Sequence, residues 1–466
     1  MVSNAAALSF ESSDFASSIY PTQVLTAAQD GIPSALRYTD KSDWGPRLGF
    51  AWRPFGNDRT VVRGGWGRFI ETPLGFSLVA GWAVHSSSLD TYNQDFATGS
   101  NTPLLSFAAP FNTAAGSSGG TAVFDYAFPI HYKDPTVQQW NLTLERDLGK
   151  GFGARFSYTG SAGRNLEAMV DRNQVAANTQ GYELAGANRP YPLWSIIQSV
   201  ANAAESNYNC GTVELSRHTG KSLTFDSSYS FTRDLSNAGG ATPSAFAVAG
   251  GSFLTDRFHP GHDYGNVIYD RRQRFLTTWL YELPFGHGQH WLQQGGLINE
   301  LAGGWQLAGV AILQSGPFLT PTEATVDPAN TNILTTVGQT RPDQISGVSP
   351  YATHRTTGQW LNPAAFSFAN LQTASGIGIG RFGNAPVGGV VGPGTENFSL
   401  SLMKNFAITE QRKFQFGVEA ANVLNHRNYE PPNMQVDSAG FGAITALQTA
   451  EGAGPRSLQL SGRFNF

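Results

Sequence analysis

Ser457-Leu-Gln-Leu-Ser-Gly-Arg-Phe-Asn-Phe466 ends the chain and alternates without error. In an extended strand, successive side chains point to opposite faces. Leu458, Leu460, Gly462, Phe464 and Phe466 therefore share one face, and Ser457, Gln459, Ser461, Arg463 and Asn465 share the other. An apolar face that runs to the last residue must be docked in something, because chain ends fray in water. A tilted strand of about ten residues crosses the hydrocarbon core of a bilayer. The pattern predicts the closing strand of an outer-membrane β-barrel, with lipid on one face and a wet lumen on the other.

The same period recurs upstream. Leu48, Phe50 and Trp52 open a series that continues through the Gly-rich 60–70, Trp140–Leu144, Phe152–Tyr158, Leu223–Phe231, Trp305–Leu313, Phe398–Leu402 and Phe414–Ala420. Two weaker segments lie at 207–218 and 271–284. The expected fold is all-β: an antiparallel meander of roughly eleven strands, part of a transmembrane outer-membrane barrel. The links sharpen this. Phe55–Arg59, Gly149-Lys150, Thr219-Gly220 and 407–411 are short, 285–302 is intermediate, and 71–136, 162–206, 236–270, 317–396 and 424–455 are long. Short periplasmic turns alternating with long extracellular loops are the mark of such a barrel, and the long loops 71–136 and 317–396 have room for extra hairpins.

Composition agrees. The chain has 466 residues, 40% hydrophobic and 14% charged, with 53 glycines and 12% aromatics. Its apolar runs are too short for a spanning helix. A net charge of −4 gives no support to nucleic-acid binding, and Cys210 has no internal partner for a disulfide.

In chain order, several segments resemble the TonB-dependent receptors of the outer membrane, in particular their Oar-like branch. They are Trp44–Trp52, Thr60–Phe69, Val137–Arg146, Tyr281–Gly286, Gly303–Gly309, Gln314–Gly316, Gly392–Gly394, Ser401–Phe406 and Ala421–His426. The resemblance implies a barrel of about 22 strands around an N-terminal plug, energised through the TonB complex for uptake of a scarce extracellular ligand. The chain reads as the C-terminal part of such a barrel. Residues 1–43 are expected to be an extracellular loop remnant and 44–466 barrel wall, with the signal peptide, plug and TonB box lacking and the outermost strand edges waiting for neighbours. A non-transporting barrel with a structural or adhesive role is the alternative.

Further expectations concern single residues. Trp52, Trp66, Trp140, Trp279 and Trp305 are expected at the membrane interface. Leu458, Leu460, Phe464 and Phe466 form the C-terminal signal for the barrel-assembly machinery. The loop aromatics Trp82, Tyr191, Trp194 and Trp360 are the candidates for contact with an unknown ligand, or else pack the loops. Alternation puts Arg63, Glu145 and Arg155 on the lumen face. Partners are outer-membrane lipid and that ligand, with TonB reached only through the plug; no cofactor, metal or enzymatic site is expected. Gly378-Ile-Gly-Arg-Phe-Gly383 matches a dinucleotide fingerprint as a string, and Gly116–Gly120 a serine elbow, but neither leads into a helix. His259, His262 and Asp263 form the most metal-like cluster, with His287 and His290 a second pair; the plainer reading is ordinary loop histidines.

Overall fold

A computed structural model describes residues 28, 31, 33–34, 37–71, 122–127, 129–186, 188–190, 194–218, 222–238, 253–286, 291–292, 301–333, 339–407 and 412–465. The strands in the first half are β1 (Arg47–Trp52), β2 (Thr60–Ile70), β3 (Ala122–Ala127), β4 (Thr136–Gly149), β5 (Phe152–Asp171), β6 (Trp194–Arg217), β7 (Leu223–Ser236) and β8 (Gly265–Asn266). After them come β9 (Gln273–Glu282), β10 (Trp305–Gln314) and four two-residue strands, β11 (Phe318–Leu319), β12 (Asp343–Gln344), β13 (Phe366–Ser367) and β14 (Val390–Val391). The chain closes with β15 (Thr395–Ala407), β16 (Lys413–Ala421) and β17 (Ser457–Asn465).

One sheet dominates. Its path is β1-β2-β4-β5-β6-β7-β9-β10-β15-β16-β17, so eleven strands follow one another as a meander. Successive pairs along it are antiparallel. β1 and β17 stand at its two ends, each paired on one side among the described residues.

The register fixes which residues share a face. Leu48 sits opposite Trp66, Trp66 opposite Trp140, and Phe156 opposite both Leu144 and Val213. At the far end, Leu402 is opposite Val418 and Val418 opposite Leu460. This apolar face is bare of protein: Leu48 is 73% exposed, and Leu458 and Leu460 are 70% exposed. A water-soluble sandwich would bury such a face against a second sheet; here only lipid satisfies it. Aromatic rings fill the notches that glycines leave on neighbouring strands. The Trp140 indole lies over Gly160 and that of Trp279 over Gly309, where an added Cβ would come within 2.4 and 2.1 Å of the ring.

Two strands run beyond the expected limits. The expectation of a long loop over 162–206 is corrected at both ends, because β5 continues to Asp171 and β6 begins at Trp194. Their pairing persists past two register shifts to Asp171 opposite Gln198, and β3 adds to β6 in parallel. Ala168, Val170, Ala204 and Leu254 bury a small apolar core on this extension. Small residues here permit close packing between backbone and loop, which a period-two template does not register.

Candidate functional site

The lumen face carries a ladder of alternating charge. Arg63 of β2 meets Glu145 of β4 at 2.9 Å, Glu145 meets Arg155 of β5 at 3.2 Å, and Arg155 meets Glu214 of β6 at 2.8 Å. Alternation found three members; the fourth, Glu214, lay in a weakly patterned segment and was signalled only by its phase against Val213 and Leu215. The four side chains are 26–55% exposed, so each pair is worth at most about 1 kcal/mol. The ladder keeps this wall wet and charge-balanced more than it holds the sheet together. A groove of about 620 Å³ lies along it near the short turns, with Arg59, Arg146, His218 and Asp226 also on its lining.

At the opposite end the long loops knit into a roof. Leu319, Leu361, Ala365, Phe366, Val390 and Phe441 bury a common core drawn from the links β10–β15 and β16–β17, with β11–β14 and β12–β13 as its miniature sheets. Polar side chains replace a regular ladder here. Asn330 donates to the carbonyls of Asn178 (2.6 Å) and Gly378 (2.8 Å) and accepts from the Gly378 amide (2.9 Å). Glu323 is fully buried and accepts from the Thr340 hydroxyl and the Val326 amide, while burial pushes its carboxyl up. Gly378 and Gly383 are close-approach positions: an added Cβ would lie 2.3 Å from the Asp327 carbonyl oxygen and 1.9 Å from that of Arg341. That explains the glycine string without a nucleotide.

The histidine cluster belongs to the same roof. Asp263 accepts from the amide and hydroxyl of Thr255 and faces Arg341 at 3.6 Å. His259 turns to Asp256 at 2.9 Å. His262 packs against Phe382, and burial first, then the Arg341 charge, lowers its pKa to about 4. Each member thus has its own partner; His287 and His290 lie outside the described residues.

One loop turns inward. Arg274, on the lumen face of β9, donates to Glu451 through Nη2 at 2.7 Å and Nη1 at 3.1 Å, and also to Gln314. The lumen face of β15 holds the same loop, with Asn397 donating to the Glu451 carbonyl at 2.7 Å and Thr395 to Gln448 at 2.7 Å. Nothing in the local pattern of 424–455 signals this fold-back, because its contacts span up to 177 residues.

Trp52, Trp66, Trp140, Trp279 and Trp305 all fall on the apolar face by register. Leu458, Leu460 and Phe464 do too, and Phe466 lies outside the described residues. Trp82 and Tyr191 are also outside them. Trp194 opens β6 opposite Ala122. Trp360 packs half-buried against the roof core with Arg355 over its ring at 5.5 Å, which suits loop packing.

No curated protein matches the chain. Among solved structures, the Escherichia coli outer membrane transporter YddB is similar at 10% identity and a TM-score of 0.44, over 90% of this chain and 40% of YddB. BauA, the ferric preacinetobactin receptor from Acinetobacter baumannii, is similar at 10% identity and a TM-score of 0.41, over 91% of this chain and 36% of BauA. The ferripyoverdine receptor of Pseudomonas aeruginosa gives 9% identity and a TM-score of 0.40, over 91% and 33%. The chain spans two-fifths or less of the length of each. A family model described as an outer membrane beta barrel domain matches residues 3–459. With its apolar face turned to lipid and its charged face to a lumen, the chain belongs to the outer membrane beta-barrel domain family and resides in the Gram-negative outer membrane.

Proposed function

We propose that the chain forms part of the wall and the extracellular roof of a TonB-dependent receptor that takes up a scarce ligand across the outer membrane. The observation that carries this is the pairing of a charged, wet lumen face with long loops folded together over one end of it. Loops on a rigid scaffold are where recognition is built. The ordered sequence resemblance from Trp44 to His426 supports the Oar-like branch. In this reading residues 44–466 are wall and roof, 1–43 precede the first strand outside the cell, the terminal strand engages the assembly machinery, and the TonB complex acts through a plug. Trp82, Tyr191, Trp194 and Trp360 are the aromatics offered to the ligand, Trp194 from the first position of β6.

The test is genetic. Deleting the gene should impair growth on at least one member of a panel of limiting nutrients, and complementation should require an intact TonB system. Unimpaired growth throughout, together with reduced attachment to surfaces, would favour the structural or adhesive alternative.

A further inference from the structure

We propose that Arg274 is an anion-binding residue at the mouth of the lumen, held in reserve by the carboxylate of Glu451. An incoming carboxylate-bearing ligand takes Glu451's place and loosens the β16–β17 loop around that residue. This deepens the receptor reading and rests on it for its physiological meaning.

The Arg274 guanidinium presents two donors to the two oxygens of Glu451, at 2.7 and 3.1 Å. That planar fork is the geometry by which arginine recognises carboxylates. Neither partner is sealed away: the side chains are 32% and 41% exposed, so an outside carboxylate can compete for the same donors. Glu451 itself sits at φ +53°, in the left-handed region that residues with a side chain adopt at a cost. Its neighbourhood supplies the restraint, since Asn397 grips the Glu451 carbonyl and Asn428 donates to the Ala453 carbonyl at 3.0 Å. The ion pair joins a wall strand to a loop 177 residues away. Exchanging Glu451 for a ligand oxygen pair keeps Arg274 satisfied while removing a charged tie between loop and wall; a second tie, from His426 to Glu396 of β15 at 3.7 Å, is charged only when the histidine is protonated. The ligand class follows from the occupant: a small, carboxylate-bearing molecule.

The test uses the full purified chain in detergent micelles, with tricarballylate as the probe and its neutral triamide as control. Glu451→Gln removes the internal competitor with little change of shape. It should bind tricarballylate about three- to tenfold more tightly than the unsubstituted chain, because the competent fraction of Arg274 rises. Arg274→Gln should lose binding in either background, Arg274→Lys should weaken it, and the triamide should not bind. Tricarballylate should also speed trypsin cleavage after the exposed Arg456 in the unsubstituted chain. The proposal is overturned if Glu451→Gln binds no more tightly, if Arg274→Gln binds as well as the parent while keeping its β circular dichroism, or if cleavage at Arg456 is unchanged by bound probe. Because the assay needs no uptake, it can succeed where the receptor reading fails, and the reverse.

Discussion

Wall and roof are built from one chain by opposite rules. In the wall, Leu458 and Leu460 of β17 lie 70% exposed on a sheet face and every second residue of that strand is polar. In the roof, Leu361 and Leu371 are fully buried and the hydrogen bonds come from Asn, Asp and Gln side chains as much as from backbone pairing. The wall answers to two solvents at once, so its apolar groups point outward into lipid. The roof answers to water alone, so its apolar groups turn inward.

That contrast can be broken from either side. Leu361→Ala should destabilise the roof by about 3–5 kcal/mol, since it empties a filled core site. Protease cutting within 317–396 should rise sharply while the far-ultraviolet β signal of the wall is retained. Leu402→Arg, on the lipid face, should cost about 2–4 kcal/mol of wall stability in bilayers. Its effect should be on the heat-induced mobility shift of the whole barrel and not on roof proteolysis. If the two substitutions produce the same pattern, wall and roof unfold as one unit.

Acid offers a gentler test. Burial and Arg341 hold His262 near pKa 4, below the ordinary histidine value of about 6.5. The unfolded chain therefore takes up a proton that the folded roof refuses. Stability supplied by neutral His262 is complete above about pH 6.5 and is lost progressively as pH falls to 4. The loss should be on the order of 1–2 kcal/mol, seen as faster proteolysis at pH 5 than at pH 7. His262→Gln should flatten that dependence above pH 5. The smallest effect belongs to the lumen ladder: Glu145→Gln should change wall stability by less than about 1 kcal/mol. Its signature is local, a gain in accessibility of the Arg63 and Arg155 guanidinium groups to dicarbonyl labelling.

The eleven wall strands were legible because each carries its own evidence. Period-two alternation is local, and the phase of one residue decides the face of all. Arg63, Glu145 and Arg155 could be placed on the lumen face before any pairing was known, and Trp140 and Trp279 on the other. Which charges meet was not legible, since that depends on inter-strand register. The far halves of β5 and β6 escaped too, because their small residues in 160–171 and 194–206 blur the alternation.

What the sequence determined by itself was a membrane-spanning meander with a lipid face and a wet face, since chain-local chemistry repeats every second residue. The roof was decided only in three dimensions. Its core joins Leu319 to Phe441, its stitches join Asn178 to Asn330, and its inward tie joins Arg274 to Glu451. Such contacts leave no period in the chain, because each is set by where distant loops come to rest on the wall.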